Sequence, residues 1–212
     1  MRKEFLFAGL GMVLGAGVLG LIAVNESQAE ETVVFEDTPG PNLVIDVAGA
    51  ATGQVVIDLL PNVAPQHVER MATLAEEGAY DGVVFHRVID GFMAQTGDVE
   101  FGQAEGNTRR AGTGGSSYAD LPAEFSNVPF QRGVVGMARS QNPNSANSQF
   151  FIMFDAAPHL NGQYTVVGRV IEGMDVVDSI QKGGGANGAV SNPDVMATVT
   201  VLEDDVENAA TE

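Results

Sequence analysis

Phe85-His86-Arg87-Val88-Ile89-Asp90-Gly91-Phe92-Met93-Ala94-Gln95-Thr96-Gly97-Asp98 is the stretch from which the rest of the chain can be read. It holds most of one short β-type run, Val83–Ile89, and all of a second, Phe92–Thr96, with Asp90-Gly91 between them. Valine, isoleucine and phenylalanine in runs of this length, bounded by turn residues, predict strands. The same pattern extends both ways. Upstream, Leu43, Ile45 and Val47 alternate, then Val55, Ile57 and Leu59, with Ala48 to Gly53 as the turn of a hairpin. A helix follows: Pro65 suits its first turn, Val68, Met71, Leu74 and Ala75 make one apolar face, and Gly78 ends it. Downstream come β-type runs at Val134–Arg139, Gln149–Phe154 and Thr165–Val170. A second short helix is predicted across Met174–Gln181, with Val177 and Ile180 inward and Gly183-Gly184-Gly185 after it. The last run, Val195–Leu202, alternates again. Many short strands with two isolated helices predict a mainly β, antiparallel barrel rather than a βαβ fold. There is no internal repeat.

The chain has 212 residues, of which 44% are hydrophobic, enough for one core. Its net charge is −18, and Lys3 and Lys182 are its two lysines. Such a surface repels phosphate backbones, so no nucleic-acid partner is expected. Cysteine is absent, which excludes disulfides, a thiol nucleophile and a cysteine metal site. Residues 1–29 differ from the rest. Arg2 and Lys3 precede an uncharged stretch, Phe5–Val24, and Ser27-Gln28-Ala29 offers small residues where a signal peptidase reads. The segment reads as a signal peptide cleaved after Ala29, with a retained membrane anchor as the alternative. Either way the domain is expected outside the cytoplasm, in the periplasm, touching a membrane only through an uncleaved leader. With no cysteine at the cleavage point, a bacterial lipid anchor is excluded. Gly15-Ala16-Gly17-Val18-Leu19-Gly20 spells a dinucleotide fingerprint, but it lies inside this leader without the strand and helix that motif needs. Residues 30–41 read as an acidic linker, 42–202 as the domain and 203–212 as an acidic tail.

Three segments carry function. Phe85 to Asp98 resembles the central signature of the cyclophilins, peptidyl-prolyl cis/trans isomerases, in a bacterial exported form. Gly136-Met137-Ala138-Arg139 with Asn147-Ser148-Gln149-Phe150-Phe151-Ile152 resembles the second signature, and His159-Leu160-Asn161-Gly162-Gln163-Tyr164-Thr165-Val166-Val167-Gly168 the third. Gly112-Thr113-Gly114-Gly115 also matches, and the resemblance runs in family order from about Asn42 to Leu202.

The resemblance implies a closed eight-stranded antiparallel β-barrel capped by two α-helices, with the proline site on its outer face and no metal or cofactor. It implies Arg87 as the catalytic group and Phe92, Met93, Phe151 and Leu160 as the proline pocket. Gln95 and Gln149 flank the pocket, the backbone at Ala138 and Arg139 receives the substrate chain, and His159 and Tyr164 complete the binding residues. Gly112 to Gly115 would rim a neighbouring subsite. The expected partners are proline-containing polypeptides and, weakly, cyclosporin; the expected state is a monomer.

These residue types suit the reaction. An X–Pro bond turns in roughly 10–100 s because amide resonance must be lost on the way. No covalent bond breaks, so neither nucleophile nor general base is needed. In the twisted transition state the nitrogen lone pair is released, and a guanidinium donating to it stabilises that state selectively. Taken singly, each residue also has an ordinary reading. Arg87 could be a solvated strand arginine, since strict alternation puts it on the face of Phe85 and Ile89. Phe92, Met93 and Phe151 could be core. His86 and His159 invite a hydrolase reading, but no serine has a triad context. His67 reads as a surface residue, and the three histidines lack a zinc spacing. A non-catalytic proline-binding module is the other alternative. The chain departs from the best-known members at His159, where a tryptophan is usual, and at Tyr164, where a histidine is usual. Gln141 to Asn144 is one residue longer, and Val99–Arg110 is a lengthened loop.

Overall fold

The computed structural model describes residues 39–203; the leader, the linker before Pro39 and the tail after Glu203 lie outside these residues. The hairpin forms as β1 (Asn42–Ala48) and β2 (Gly53–Leu59), in a register that sets Leu43 opposite Ile57 and Ile45 opposite Val55. All four are buried, so the alternation read from the sequence is the inward face. The first helix, α1 (Pro65–Glu76), buries Val68, Met71, Leu74 and Ala75. It also buries His67 completely, which corrects the expectation of a surface histidine. The reason is a long-range partner: Glu124 Oε2 lies 2.6 Å from His67 Nδ1.

The run Val83–Ile89 is not one strand. It divides into β3 (Val83–Val84) and β4 (Arg87–Ile89), and β4 pairs with β5 (Met93–Thr96). Then follow β6 (Val134–Met137), β7 (Phe150–Met153), β8 (Val166–Glu172), α2 (Met174–Ser179) and β9 (Val195–Leu202). These strands form one curled antiparallel sheet of nine, in the order β3-β9-β1-β2-β8-β6-β7-β5-β4. The ninth strand, against the eight expected, comes from that division. β3 pairs with β9 at one end of the sheet and β4 with β5 at the other, and no ladder joins β3 to β4 among the described residues. The two ends are therefore separated in the chain only by Phe85-His86. The second helix stops at Ser179 rather than Gln181 because the Gln181 N–H donates to Asp194 Oδ2 at 2.7 Å.

The sheet is apolar on both faces where the site will sit. Every residue of β6 and β7 is buried. The inner face joins α1 and α2 in a large core with Val88, Ala94, Val135, Phe150 and Ile152. On the outer face Met93, Val134, Phe151, Met153 and Val166 form a second cluster with Leu60, Val128, Phe130, Ala157 and Leu160. Burying side chains of this size contributes roughly 1.5–3 kcal/mol each.

Candidate functional site

The register of the outer face assembles the site. Arg87 on β4 is opposite Gln95 on β5, Gln95 is opposite Phe151 on β7, and Phe151 is opposite Gly136 on β6. Strand neighbours sit about 4.7–4.9 Å apart, so this row spans the site without a loop. Gly136 must be glycine: a Cβ there would lie 2.6 Å from the Phe130 ring and 2.7 Å from the Phe151 ring. Those two rings are stacked with centroids 5.7 Å apart, and they lie across that glycine.

A cavity of about 170 Å³ opens on this row. It is lined by Arg87, Phe92, Met93, Gln95, Ala138, Arg139, Phe151, Leu160 and Tyr164. A second cavity of about 560 Å³ adjoins it through Gln95, Ala138 and Arg139 and includes Gln149 and Gly112 to Gly115. Of the residues expected at the site, only His159 lines neither. It is exposed and stacks on Phe92, centroids 5.8 Å apart.

Arg87 is half-buried at the rim. Its Nη1 donates to Gln95 Oε1 at 3.1 Å and its Nε to the Asn187 carbonyl at 3.1 Å, with Met93 Sδ 3.8 Å from Nη1. Burial draws its pKa down from the ordinary value, and the neighbouring Tyr164 acts in the opposite direction. Across the cavity, Arg139 donates from Nε and Nη2 to the Gln163 carbonyl and from Nη1 to the Ser140 carbonyl. Its guanidinium lies 4.4 Å from the centre of the Tyr164 ring, which meets Phe151 edge-on. The result is an apolar floor of Phe92, Met93, Phe151 and Leu160 with the Arg87 guanidinium at one rim, Arg139 at another and the Gln95 amide between them and the larger cavity. Such a surface can seat a small apolar ring and donate hydrogen bonds to whatever is attached to it.

Among the described residues no side chain partners either nitrogen of the His86 ring, and burial lowers its pKa. It therefore forms no serine–histidine pair. Among the described residues no cluster of three or more acidic or histidine side chains is placed to hold a metal ion. Sequence reasoning quoted Asn147 within the second signature but gave it no role; its Oδ1 accepts from the Ser116 N–H and hydroxyl and its Nδ2 donates to the Tyr118 carbonyl and Asp120. It shapes the larger cavity through partners some thirty residues upstream, which no local pattern marks.

Residues 44–201 match the family described as cyclophilin type peptidyl-prolyl cis-trans isomerase/CLD. The chain is 64% identical over 155 residues to a probable peptidyl-prolyl cis-trans isomerase of Brucella suis, a match covering 72% of this chain and 79% of that one. It is 39% identical over 130 residues to peptidyl-prolyl cis-trans isomerase-like 3 of Gallus gallus, covering 61% and 77%. Among solved structures it resembles cyclophilin AquaCyp293 from Hirschia baltica, with TM-score 0.63 and 26% identity over 77% of this chain and 74% of that one. The fold is also that of a Cryptosporidium parvum cyclophilin type isomerase solved in the presence of the dipeptide Ala-Pro, with TM-score 0.65 and 23% identity over 77% and 99%.

Proposed function

This chain belongs to the cyclophilin-type peptidyl-prolyl cis-trans isomerases, and from that premise we propose that Arg87 drives the rotation of X–Pro bonds in exported proteins, assisting their folding. The proline ring seats on Phe92, Met93, Phe151 and Leu160. The backbone at Ala138–Arg139, where the β6–β7 ladder ends, takes the adjoining peptide, and the next substrate residue lies towards the larger cavity. Holding one side of the bond while the other turns leaves the barrier to the resonance alone. As the nitrogen becomes pyramidal, the Arg87 guanidinium donates to its lone pair. That bond is available only in the twisted state, so it lowers the barrier rather than tightening ground-state binding. The low-dielectric floor strengthens it. No residue gives up or takes a proton. The leader, Phe5–Val24 ahead of Ser27-Gln28-Ala29, motivates the exported setting.

The observation that carries this reading is the Arg87 guanidinium, held by Gln95, at the edge of a cavity of about 170 Å³ whose other guanidinium, Arg139, is turned to the Gln163 and Ser140 carbonyls. Arg87→Ala is expected to keep the fold and lose most isomerase activity in a protease-coupled assay of a proline peptide. Turnover within about threefold of the parent, under ~1 kcal/mol of transition-state energy, would overturn it.

A further inference from the structure

Asp98 closes the stretch that opened the sequence reading, yet it lines neither cavity. It is fully buried, and its carboxylate accepts four backbone N–H groups. Oδ1 takes those of Glu100 at 3.1 Å and Phe101 at 2.9 Å. Oδ2 takes those of Gly112 at 2.7 Å and Gly114 at 2.9 Å. The loop from Val99 to Gly115 is thus folded around one side chain. Its glycines follow from that: a Cβ on Gly114 would lie 2.6 Å from Asp98 Oδ1, and Gly112 has φ +96° with the His86 ring beside it.

From this loop a directed chain of hydrogen bonds reaches Arg87. The Gly114 carbonyl accepts from Gln149 Nε2 at 2.8 Å. Gln149 Oε1 accepts from Gln95 Nε2 at 2.9 Å, and Gln95 Oε1 accepts from Arg87 Nη1 at 3.1 Å. A carbonyl can only accept and a guanidinium can only donate, so the two ends set the flip of both amides between them. Gln149 with its amide reversed would face Gly114 oxygen to oxygen.

We propose that Asp98 is a positioning residue for the isomerase reaction: by holding the Gly114 N–H it fixes the residue whose carbonyl orients Gln149 and Gln95, and so holds the Arg87 guanidinium in its working plane. This rests on the role given to Arg87 above. It assigns the buried carboxylate a task beyond holding a loop, since displacement by a fraction of an ångström at the cation weakens a bond made only in the transition state.

A double-mutant cycle on the full chain separates the two roles. Asp98→Asn puts an NH₂ against one pair of N–H donors, and Gln149→Leu cuts the chain one link on. Each alone is expected to lower kcat/KM about tenfold, mainly through kcat, the size of one lost orienting hydrogen bond. The double variant should be no slower than the slower single variant, because both break the same chain. Independent, multiplied losses would overturn the proposal. The Arg87 Nε–H resonance in ¹H–¹⁵N spectra supplies a readout without turnover: it should move in Asp98→Asn and in Gln149→Leu, and an unmoved signal would also overturn it. If Asp98→Asn does not fold, Gly114→Ala replaces it, crowding the loop off an intact carboxylate and shifting the same signal. Because the resonance reports geometry alone, a failure of the relay is distinguishable from a failure of Arg87→Ala to abolish activity.

Discussion

Arg87 faces the cavity because the strand run breaks two residues before it. Phe85 and Val88 both sit in the inner core, three positions apart, whereas strict alternation requires an even spacing. The break at Phe85-His86 flips the parity, so Arg87 joins Ile89 and Met93 on the outer side while Phe85 stays within. His159 tests how far ligand preference separates from turnover. It is exposed and outside both cavities, and its ring stacks on Phe92. An indole there would extend the apolar face of Phe92 and add an N–H donor, whereas imidazole is smaller and better hydrated. His159→Trp is therefore expected to tighten cyclosporin, which the parent protein should bind poorly, with the isomerase rate almost unchanged. Titration of both proteins with cyclosporin while following isomerisation checks this. Equal inhibition of the two would show that this position does not govern the ligand.

Helix α1 depends on Glu124, which lies 57 positions beyond His67 in the chain. Its N-cap is Ala64, which has no side-chain oxygen to offer the first N–H groups. Glu124 takes that place, accepting from the Gln66 N–H at 3.3 Å, the His67 N–H at 3.1 Å and the His67 ring. The same residue donates its own N–H to Thr165 Oγ1, so it ties α1 to the start of β8. Burial alone would raise the Glu124 carboxyl, but the hydrogen bonds from the His67 ring and the two backbone N–H groups carry it below its ordinary value of 4.5. A carboxyl whose folded pKa is depressed adds stability in full above the unfolded pKa and loses it as pH falls through the folded one. Glu124→Gln should cost about 1–2 kcal/mol at neutral pH. It should also flatten the fall in stability between about pH 5 and 3. Denaturant midpoints across that range check it; parallel curves for parent and variant would contradict the assignment.

At the scale of the whole molecule, the uncharged Phe5–Val24 stretch ahead of Ser27-Gln28-Ala29 carries the proposal that the domain is delivered outside the cytoplasm. Among the described residues no helix is long and apolar enough to cross a membrane. Mass spectrometry of the protein from its native cells should find a mature chain starting near Glu30 in the soluble exported fraction. A species in washed membranes that still carries Phe5–Val24 would favour the anchored form instead.

Alternation along the chain determined which faces of β1 and β2 turn inward, and a 3.6-residue period determined the apolar stripe of α1, because both are local rules of backbone geometry; in β9 a register shift puts Met196 and Val199, three apart, inward instead. The motifs marked Arg87, Phe92, Met93, Gln95, Phe151 and Leu160, all of which the fold gathers at one cavity. What periodicity could not express is burial on both faces of β6 and β7, since that depends on segments 121–131 and 155–164 returning to cover the outer side. Nor could it divide Val83–Ile89 between β9 and β5, bury His67 or make Asp98 the hub of a loop. The last two outcomes are set by hydrogen-bond partners distant in the chain: Glu124 for His67, Gly112 and Gly114 for Asp98. A buried polar group must find its partner somewhere, and only the tertiary register says where.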